Sequence, residues 1–358
     1  MVVSLVNNLM ISKLKIKSDI HKYEVFFEKK INIIFKNFSK DTIFIVDRNV
    51  YNLFLKNILR NKIFLLIDSN EKNKDFYNLK KYINFFIKNV SKKTKVVAIG
   101  GGVTQDVVSF ICSIYKRGID WDFIPTTIIS QSDSCIGGKT SINYNGVKNT
   151  LGNFYPPKKI ILCPDFISKL PKKEFYSGLG EMAHYYFLSN KKDYFFYKNN
   201  LKKINNKIDI DIYKLILKSL KIKKKYIEKD EFDKNHRLKL NYGHTFGHAL
   251  ENLLNIPHGI AVAHGMNISN FISASYKFIS QEKYYEMRDT LNYITKDYNI
   301  GKINLDKFLK LLKKDKKSTI KNIRVILTKD IGKMFVYTVV NEGRLKNTLT
   351  KYFNPIII

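Results

Sequence analysis

The chain has little of several things, and each scarcity excludes a class of protein. It holds three cysteines in 358 residues. Cys112, Cys135 and Cys163 are odd in number, far apart and outside any CxxC pattern, so a disulfide framework and a thiolate zinc site are both excluded and a reducing cytoplasm is expected. No uncharged apolar run reaches the roughly 18 residues that a membrane span needs. The N-terminus, MVVSLVNNLMISKLKIKSD, mixes apolar residues with lysine and lacks the ordered regions and small-residue cleavage site of a signal peptide. Arginine is scarce too: seven of the 63 basic residues are arginine, although the net charge is +32. Arginine is the preferred residue for bidentate phosphate and base recognition. Lysine spread evenly among Ile, Asn, Tyr and Phe, including the runs KIKKKYIEK and KKDKK, therefore reads as a solvated surface and not as a nucleic-acid face. A positive field of this kind still favours capture of an anionic substrate.

What remains is a globular chain, with 44% hydrophobic and 26% charged residues, long enough for two domains. TIFIVD (42–47), KIFLLID (62–68) and KVVAIGGG (95–102) are short β-branched runs separated by helix-length segments such as YNLFLKNIL. FIPTTII (123–129) and KKIILCPD (158–165) continue the series. Strands at this spacing indicate βαβ units and a parallel sheet. From 172 to about 320 the sequence reads as long helices, which predicts a boundary near 171: an α/β domain over 1–171 and an all-α domain over 172–358.

Three stretches carry chemistry. VVAIGGGVTQD is a strand running into glycines, where a following helix can aim free N–H groups at a pyrophosphate, although a tight turn has the same appearance. Asp47 and Asp68 end strands where an acid can bind a ribose hydroxyl or simply cap a helix. QSDSCIGGKTSINYNGVKNTLGNFYPP (131–157) groups Asp133, Lys139, Lys148 and Asn149 among glycines, a suitable grip for a phosphate or carboxylate. NYGHTFGHALENLLNIPHGIAVAHGM (241–266) holds four of the seven histidines, each beside a glycine. On a helix His244 and His248 share a face, as a metal pair or as a buried hydrogen-bonded pair. A metal site needs a further donor. His258, His264, and Glu181 with His184 one turn on are the candidates. Imidazoles plus a carboxylate without thiolate match a catalytic zinc site with an open position.

Taken together, these motifs resemble the 3-dehydroquinate synthases, within the sugar phosphate cyclases. GGGVTQD, KRGIDWDFIPTT, the 131–157 stretch, LPKKEFYSGLGEM, DEFDKNHRLKLNYGHTFGHALE and HGIAVAHGM follow the family's order and spacing over most of 42–330. The resemblance implies a Rossmann-like NAD-binding α/β domain, a helical metal- and substrate-binding domain, a homodimer, and one divalent ion, zinc or cobalt. It implies Glu181, His244 and His258 as metal ligands, with His248 meeting a substrate hydroxyl or relaying a proton and no role for His264. Asp133, Lys223, Arg237 and Asn241 would line the pocket, with Lys139 and Arg237 facing a carboxylate. Lys139, Asn149, Asn241 and Lys316 would hold a phosphate, joined by Arg117 from the neighbouring subunit. Asp47, Glu71, Lys74, Gly101, Gly102, Val103, Asp106, Thr126, Thr127, Lys139 and Lys148 would contact NAD.

The implied reaction takes 3-deoxy-D-arabino-heptulosonate 7-phosphate through transient oxidation, β-elimination of phosphate, reduction and aldol closure to 3-dehydroquinate. The chain departs from the family at Thr104 and Gln105, at Ile260 where an acid is usual, at Lys169 for a threonine, and at His184 where a substrate-facing lysine is usual. A cyclase for another sugar phosphate and an NAD- and metal-dependent polyol dehydrogenase are the alternatives.

Overall fold

The structure, a computed structural model, describes residues 13–36, 38–203, 210–314 and 323–354. The chain divides after Leu170 into two compact units.

In the first unit, strands β1 (Lys13–Ile16), β2 (Tyr23–Phe27), β3 (Ile43–Asp47), β4 (Ile63–Ile67), β5 (Val96–Gly100), β6 (Trp121–Pro125) and β9 (Lys159–Leu162) form one sheet, ordered β1-β2-β9-β6-β5-β3-β4. Every pairing is parallel except that of β1 with β2. Two further strands, β7 (Ile142–Tyr144) and β8 (Val147–Leu151), make a separate hairpin. Helices α1 (Ile31–Lys36), α2 (Arg48–Val50), α3 (Lys80–Asn89) and α4 (Gly102–Ile114) complete the unit.

Strands β3, β5 and β6 are buried at all their residues, which is why IFIVD, VVAIG and WDFIP read as continuous and not alternating apolar runs. Phe44, Val46, Val97, Ile99 and Ile124 from these strands pack with Ile34, Leu55, Leu59 and Phe166 in one core. The predicted strand at 123–129 begins earlier and stops at Pro125. Beyond it the Thr127 backbone N–H and hydroxyl engage the Ser130 hydroxyl and start a helical turn instead. The chain leaves β3 for β4 on one side and returns to β5 on the other. The C-terminal ends of β3 and β5 thus form the switch point where doubly wound sheets bind ligands.

The second unit contains α5 (Lys172–Leu188), α6 (Lys191–Leu201), α7 (Ile210–Ile227), α8 (His244–Leu254), α9 (His258–Ser275), α10 (Gln281–Thr295), α11 (Leu305–Lys314) and α12 (Glu342–Phe353). An antiparallel hairpin, β10 (Arg324–Thr328) and β11 (Met334–Thr338), is added to the all-helical pattern read from the sequence. Helix α9 is buried along most of its length and packs against α5, α8 and α10, as its almost unbroken small and apolar sequence requires.

Candidate metal centre and nucleotide-binding loop

Helices α5 and α8 approach α9 unusually closely, and glycines make this possible. A Cβ on Gly259 would lie 1.8 Å from the Ser177 carbonyl oxygen, and one on Gly180 would lie 2.1 Å from the Gly259 oxygen. At the other crossing, a Cβ on Gly265 would lie 1.9 Å from the Gly243 oxygen. Gly243 also turns the chain into α8 at φ 83°, a conformation that suits glycine. Glu181 follows Gly180, His244 follows Gly243 and His258 precedes Gly259, so the contacts that bring the backbones together also bring these three side chains together.

Their ligand atoms all lie within 4.8 Å of one another, a group of donors that could hold a metal ion. His244 Nε2 is 3.3 Å from Glu181 Oε1, and His258 Nε2 is 3.4 Å from Oε2. Direct charged hydrogen bonds are shorter, about 2.7–2.9 Å. Ligands on a tetrahedral ion, with bonds of about 2.0–2.1 Å, lie roughly 3.3–3.4 Å apart. Among the described residues, Glu181 Oε2 is buried without a hydrogen bond of its own. The separations, the donor types and this buried oxygen all fit a divalent ion.

The Nδ1 atoms are turned away from the cluster. His244 Nδ1 lies 3.3 Å from the Tyr242 carbonyl, and His258 Nδ1 lies 2.8 Å from Glu251 Oε2. Burial alone would raise the Glu181 carboxyl, but the facing His244 and His184 rings hold it well below the usual carboxylate range. Burial likewise opposes a charge on His258, yet Glu181 and Glu251 overcome it and raise this imidazole to about 10.

His184 is buried beside the cluster, with Nδ1 3.6 Å from Glu181 Oε1 and its ring 5.2 Å from that of His244. It stands outside the three-residue group. The His248 ring is 5.6 Å from those of His244 and His258. Lys223 and Arg237 are buried in the same unit. The Arg237 backbone N–H and guanidinium bond Asp230 and the Glu231 carbonyl, respectively, and Asn241 donates to the Leu238 carbonyl. Lys316 lies outside the described residues.

His264 is taken up elsewhere: it is buried, its Nε2 lies 2.8 Å from the Tyr298 carbonyl, and burial lowers its pKa to about 4. Because this is below the ordinary 6.5, the unfolded chain takes up the proton first as pH falls. The stability gained by burying a neutral ring is complete above the unfolded value and is lost as pH drops towards 4, by up to about 3 kcal/mol. In denaturant titrations at pH 7 and 4.5, His264→Gln should therefore lose less stability between the two pH values than the unaltered protein does. An identical loss in both would remove His264 as the cause.

In the first unit, Gly101 caps α4, and beyond its chain neighbours and its own helix backbone Gly102 has none of the described residues' atoms within 4 Å of where its Cβ would be. The open first turn, Gly102–Val103, presents backbone N–H groups at the switch point. Thr127 borders it, 3.0 Å from a Cβ on Gly101, and the Thr126 N–H bonds the Gly100 carbonyl. Asp47 caps α2, its Oδ1 accepting from the N–H groups of Asn49 and Val50.

Glu71, Lys74, Asp106 and Asn149 meet in one network. Buried Lys74 Nζ is 2.6 Å from Asp106 Oδ2 and donates to Asn149 Oδ1 at 2.7 Å, while Asn143 donates to Glu71 and accepts from the Asn149 N–H. Burial raises the Asp106 carboxyl even against Lys74 and Ser141. Asn143, Ser141 and Glu251 escaped sequence reading: Asn143 and Ser141 act through Glu71 and Asp106, far along the chain, and Glu251 reaches His258 across the turn between two helices.

Thr104 and Gln105, the departures in the glycine loop, are buried and tie α4 to its neighbours. The Thr104 hydroxyl is 2.8 Å from that of Ser69, and the Gln105 amide makes two hydrogen bonds with Ser134. Asp133, next to Ser134, is half-buried, whereas Lys139 and Lys148 are exposed. Arg117 is exposed in a left-handed turn, φ 65°, between Lys116 and Gly118.

Residues 64–177 match the family described as 3-dehydroquinate synthase N-terminal, and residues 178–318 match 3-dehydroquinate synthase C-terminal. The chain belongs to the 3-dehydroquinate synthase family. A curated 3-dehydroquinate synthase of Buchnera aphidicola subsp. Cinara cedri is 34% identical over 339 residues, covering 91% of this chain and 89% of that one. The family fold extends to solved structures at low identity. A 2-deoxy-scyllo-inosose synthase complexed with carbaglucose-6-phosphate, NAD+ and Co2+ superposes with a TM-score of 0.83 at 21% identity, covering 94% of this chain and 99% of that one. A 2-epi-5-epi-valiolone synthase from Streptomyces hygroscopicus, with NAD+ and Zn2+ bound, gives 0.82 at 20% identity, covering 96% and 99%.

Proposed function

We propose that this chain converts 3-deoxy-D-arabino-heptulosonate 7-phosphate to 3-dehydroquinate and phosphate, acting as a carbon–oxygen lyase without net redox change. The observation that carries this reading is the Glu181–His244–His258 donor group in a chain 34% identical to a curated 3-dehydroquinate synthase. When bound, NAD at the glycine loop with Asp47, Glu71, Lys74, Asp106, Thr126 and Thr127 would take up and return a hydride, and zinc or cobalt on the donor group would polarise a substrate oxygen.

The other side chains orient and move protons. Lys139, Lys148 and Asn149 supply cations and an amide to the anionic ends of the substrate. Arg237, Lys223 and Asn241 serve the same purpose in the helical unit, where Arg237 offers a planar fork to a carboxylate. Asp133 orients a hydroxyl, and His248, close to two ligand imidazoles, relays a proton. Lys316, and Arg117 from the partner of a homodimer, complete the phosphate contacts. Three buried free thiols suit a reducing cytoplasm.

Incubating the purified protein with the heptulosonate phosphate, NAD+ and zinc should yield 3-dehydroquinate by NMR, with phosphate released and no accumulation of NADH. Accumulated NADH without phosphate would indicate a dehydrogenase instead. His184, buried against Glu181 in place of the usual lysine, favours one second reading, a cyclase for a different sugar phosphate. Under the main reading His184 donates a hydrogen bond to substrate. His184→Ala should then keep its metal and lose about 10²-fold in kcat/KM, as expected for a charged hydrogen bond of roughly 3 kcal/mol. His184→Lys should recover part of that loss. A metal-replete but inactive His184→Lys protein points to the other substrate, and loss of metal in His184→Ala makes His184 a ligand.

A further inference from the structure

We infer that Glu251 is a positioning residue for the metal centre, fixing which nitrogen His258 presents to the ion. The inference rests on the metal reading above. His258 opens α9 directly after Pro257, and its side chain is one-third exposed, with the His244 and His248 rings 5.5 and 5.6 Å away, so burial by itself does not select which ring nitrogen faces the cluster. The 2.8 Å contact between Nδ1 and Glu251 Oε2 makes that selection. With Nδ1–H donated to the carboxylate, Nε2 is the nitrogen that faces Glu181 Oε2, 3.4 Å away, and the one left to give its lone pair to an ion bound between them. A carboxylate behind a ligand imidazole holds the tautomer and makes the donor nitrogen more basic. Among the described residues, His244 has the Tyr242 carbonyl at 3.3 Å behind it and no carboxylate, so the two imidazoles are not equivalent.

The position of Glu251 argues against a role in helix stability. It lies in the last turn of α8, where its negative charge faces the negative end of the helix dipole. What this placement does provide is charge balance: a divalent ion with Glu181 leaves one positive charge, and Glu251 cancels it.

The test uses the full-length protein and three variants, Glu251→Gln, Glu251→Ala and His264→Gln, each titrated with Zn2+ or Co2+ against a chelator of known affinity. Glu251→Ala should bind the ion about 10–100-fold more weakly than the unaltered protein. Glu251→Gln, whose amide oxygen can still accept from Nδ1 but carries no charge, should fall between them, and His264→Gln should match the unaltered protein. The Co2+ absorption spectrum should change in the Glu251 variants. Thermal unfolding of the metal-free forms should stay within a few degrees of the unaltered protein. Unchanged affinity and spectrum in both Glu251 variants overturn this inference alone. An equally large drop in metal-free stability makes Glu251 merely structural and overturns it as well. If the unaltered protein binds neither ion, the metal reading fails and takes this inference with it.

Discussion

His258→Ala is expected to yield a folded protein without stoichiometric zinc or cobalt and with turnover reduced by at least about 10³-fold, or ~4 kcal/mol of transition-state stabilisation. The donor group has three members, and two donors leave an ion loosely held. Glu181→Gln and His244→Ala should behave alike, because Glu181 faces both imidazoles, at 3.3 and 3.4 Å. His264→Ala, whose ring meets the Tyr298 carbonyl and not the cluster, should retain metal and activity. Elemental analysis of the purified variants decides the matter, and equal metal in His258→Ala and the unaltered protein would sink the ligand assignment. If only His258→Ala kept its ion, His184 would be the first place to look for a substitute donor, since it already lies 3.6 Å from Glu181.

The second large effect is expected at a residue with no side chain. Gly259→Ala places a methyl group 1.8 Å from the Ser177 carbonyl oxygen and 2.9 Å from the Glu181 backbone nitrogen. Both atoms belong to the backbone of α5, so no rotamer change relieves the clash; α5 and α9 must separate. Overpacking of a core costs about 1–3 kcal/mol, and a backbone clash of this depth belongs at the upper end. A midpoint lowered by several degrees is the expected result. Separation of the helices also pulls Glu181 from His258, so metal affinity should fall even in the folded fraction. Gly102→Ala is the contrast, since nothing lies within 4 Å of its added methyl, and it should unfold like the unaltered protein. Normal stability with full metal content in Gly259→Ala would show that the close crossing is not needed.

Much of the first unit was legible in the sequence because a doubly covered parallel sheet leaves a local signature. IFIVD and VVAIG are apolar at successive positions, and the glycines after β5 mark a turn into a helix. The N-terminal strands β1 and β2 were less legible: KLKI and YEVFF interleave polar residues, and their pairing partners lie across the six-residue connection 17–22 and, for β2, in β9 more than a hundred residues later. The hairpin β7–β8 was read as loop for a similar reason, since INY and VKNTL are short and largely polar.

For the metal centre the division follows from the range of the forces involved. Helix periodicity is local, so the sequence by itself determined that His244 and His248 share a face of α8 and that Glu181 and His184 share a face of α5. Glycine beside each histidine was visible too, but its meaning was not. Periodicity left His248, His258 and His264 open as partners of His244 and the family resemblance pointed to His258; only the tertiary structure brings His258 together with His244 and Glu181, because that meeting depends on how closely three helices cross, and the crossings are set by backbone contacts between Gly180, Gly243, Gly259, Gly265 and residues distant in sequence. Glu251 behind His258 belongs to the same category: a turn at Asn255, φ 52°, brings the end of α8 back against the start of α9, and no spacing rule within a single helix reports such a contact.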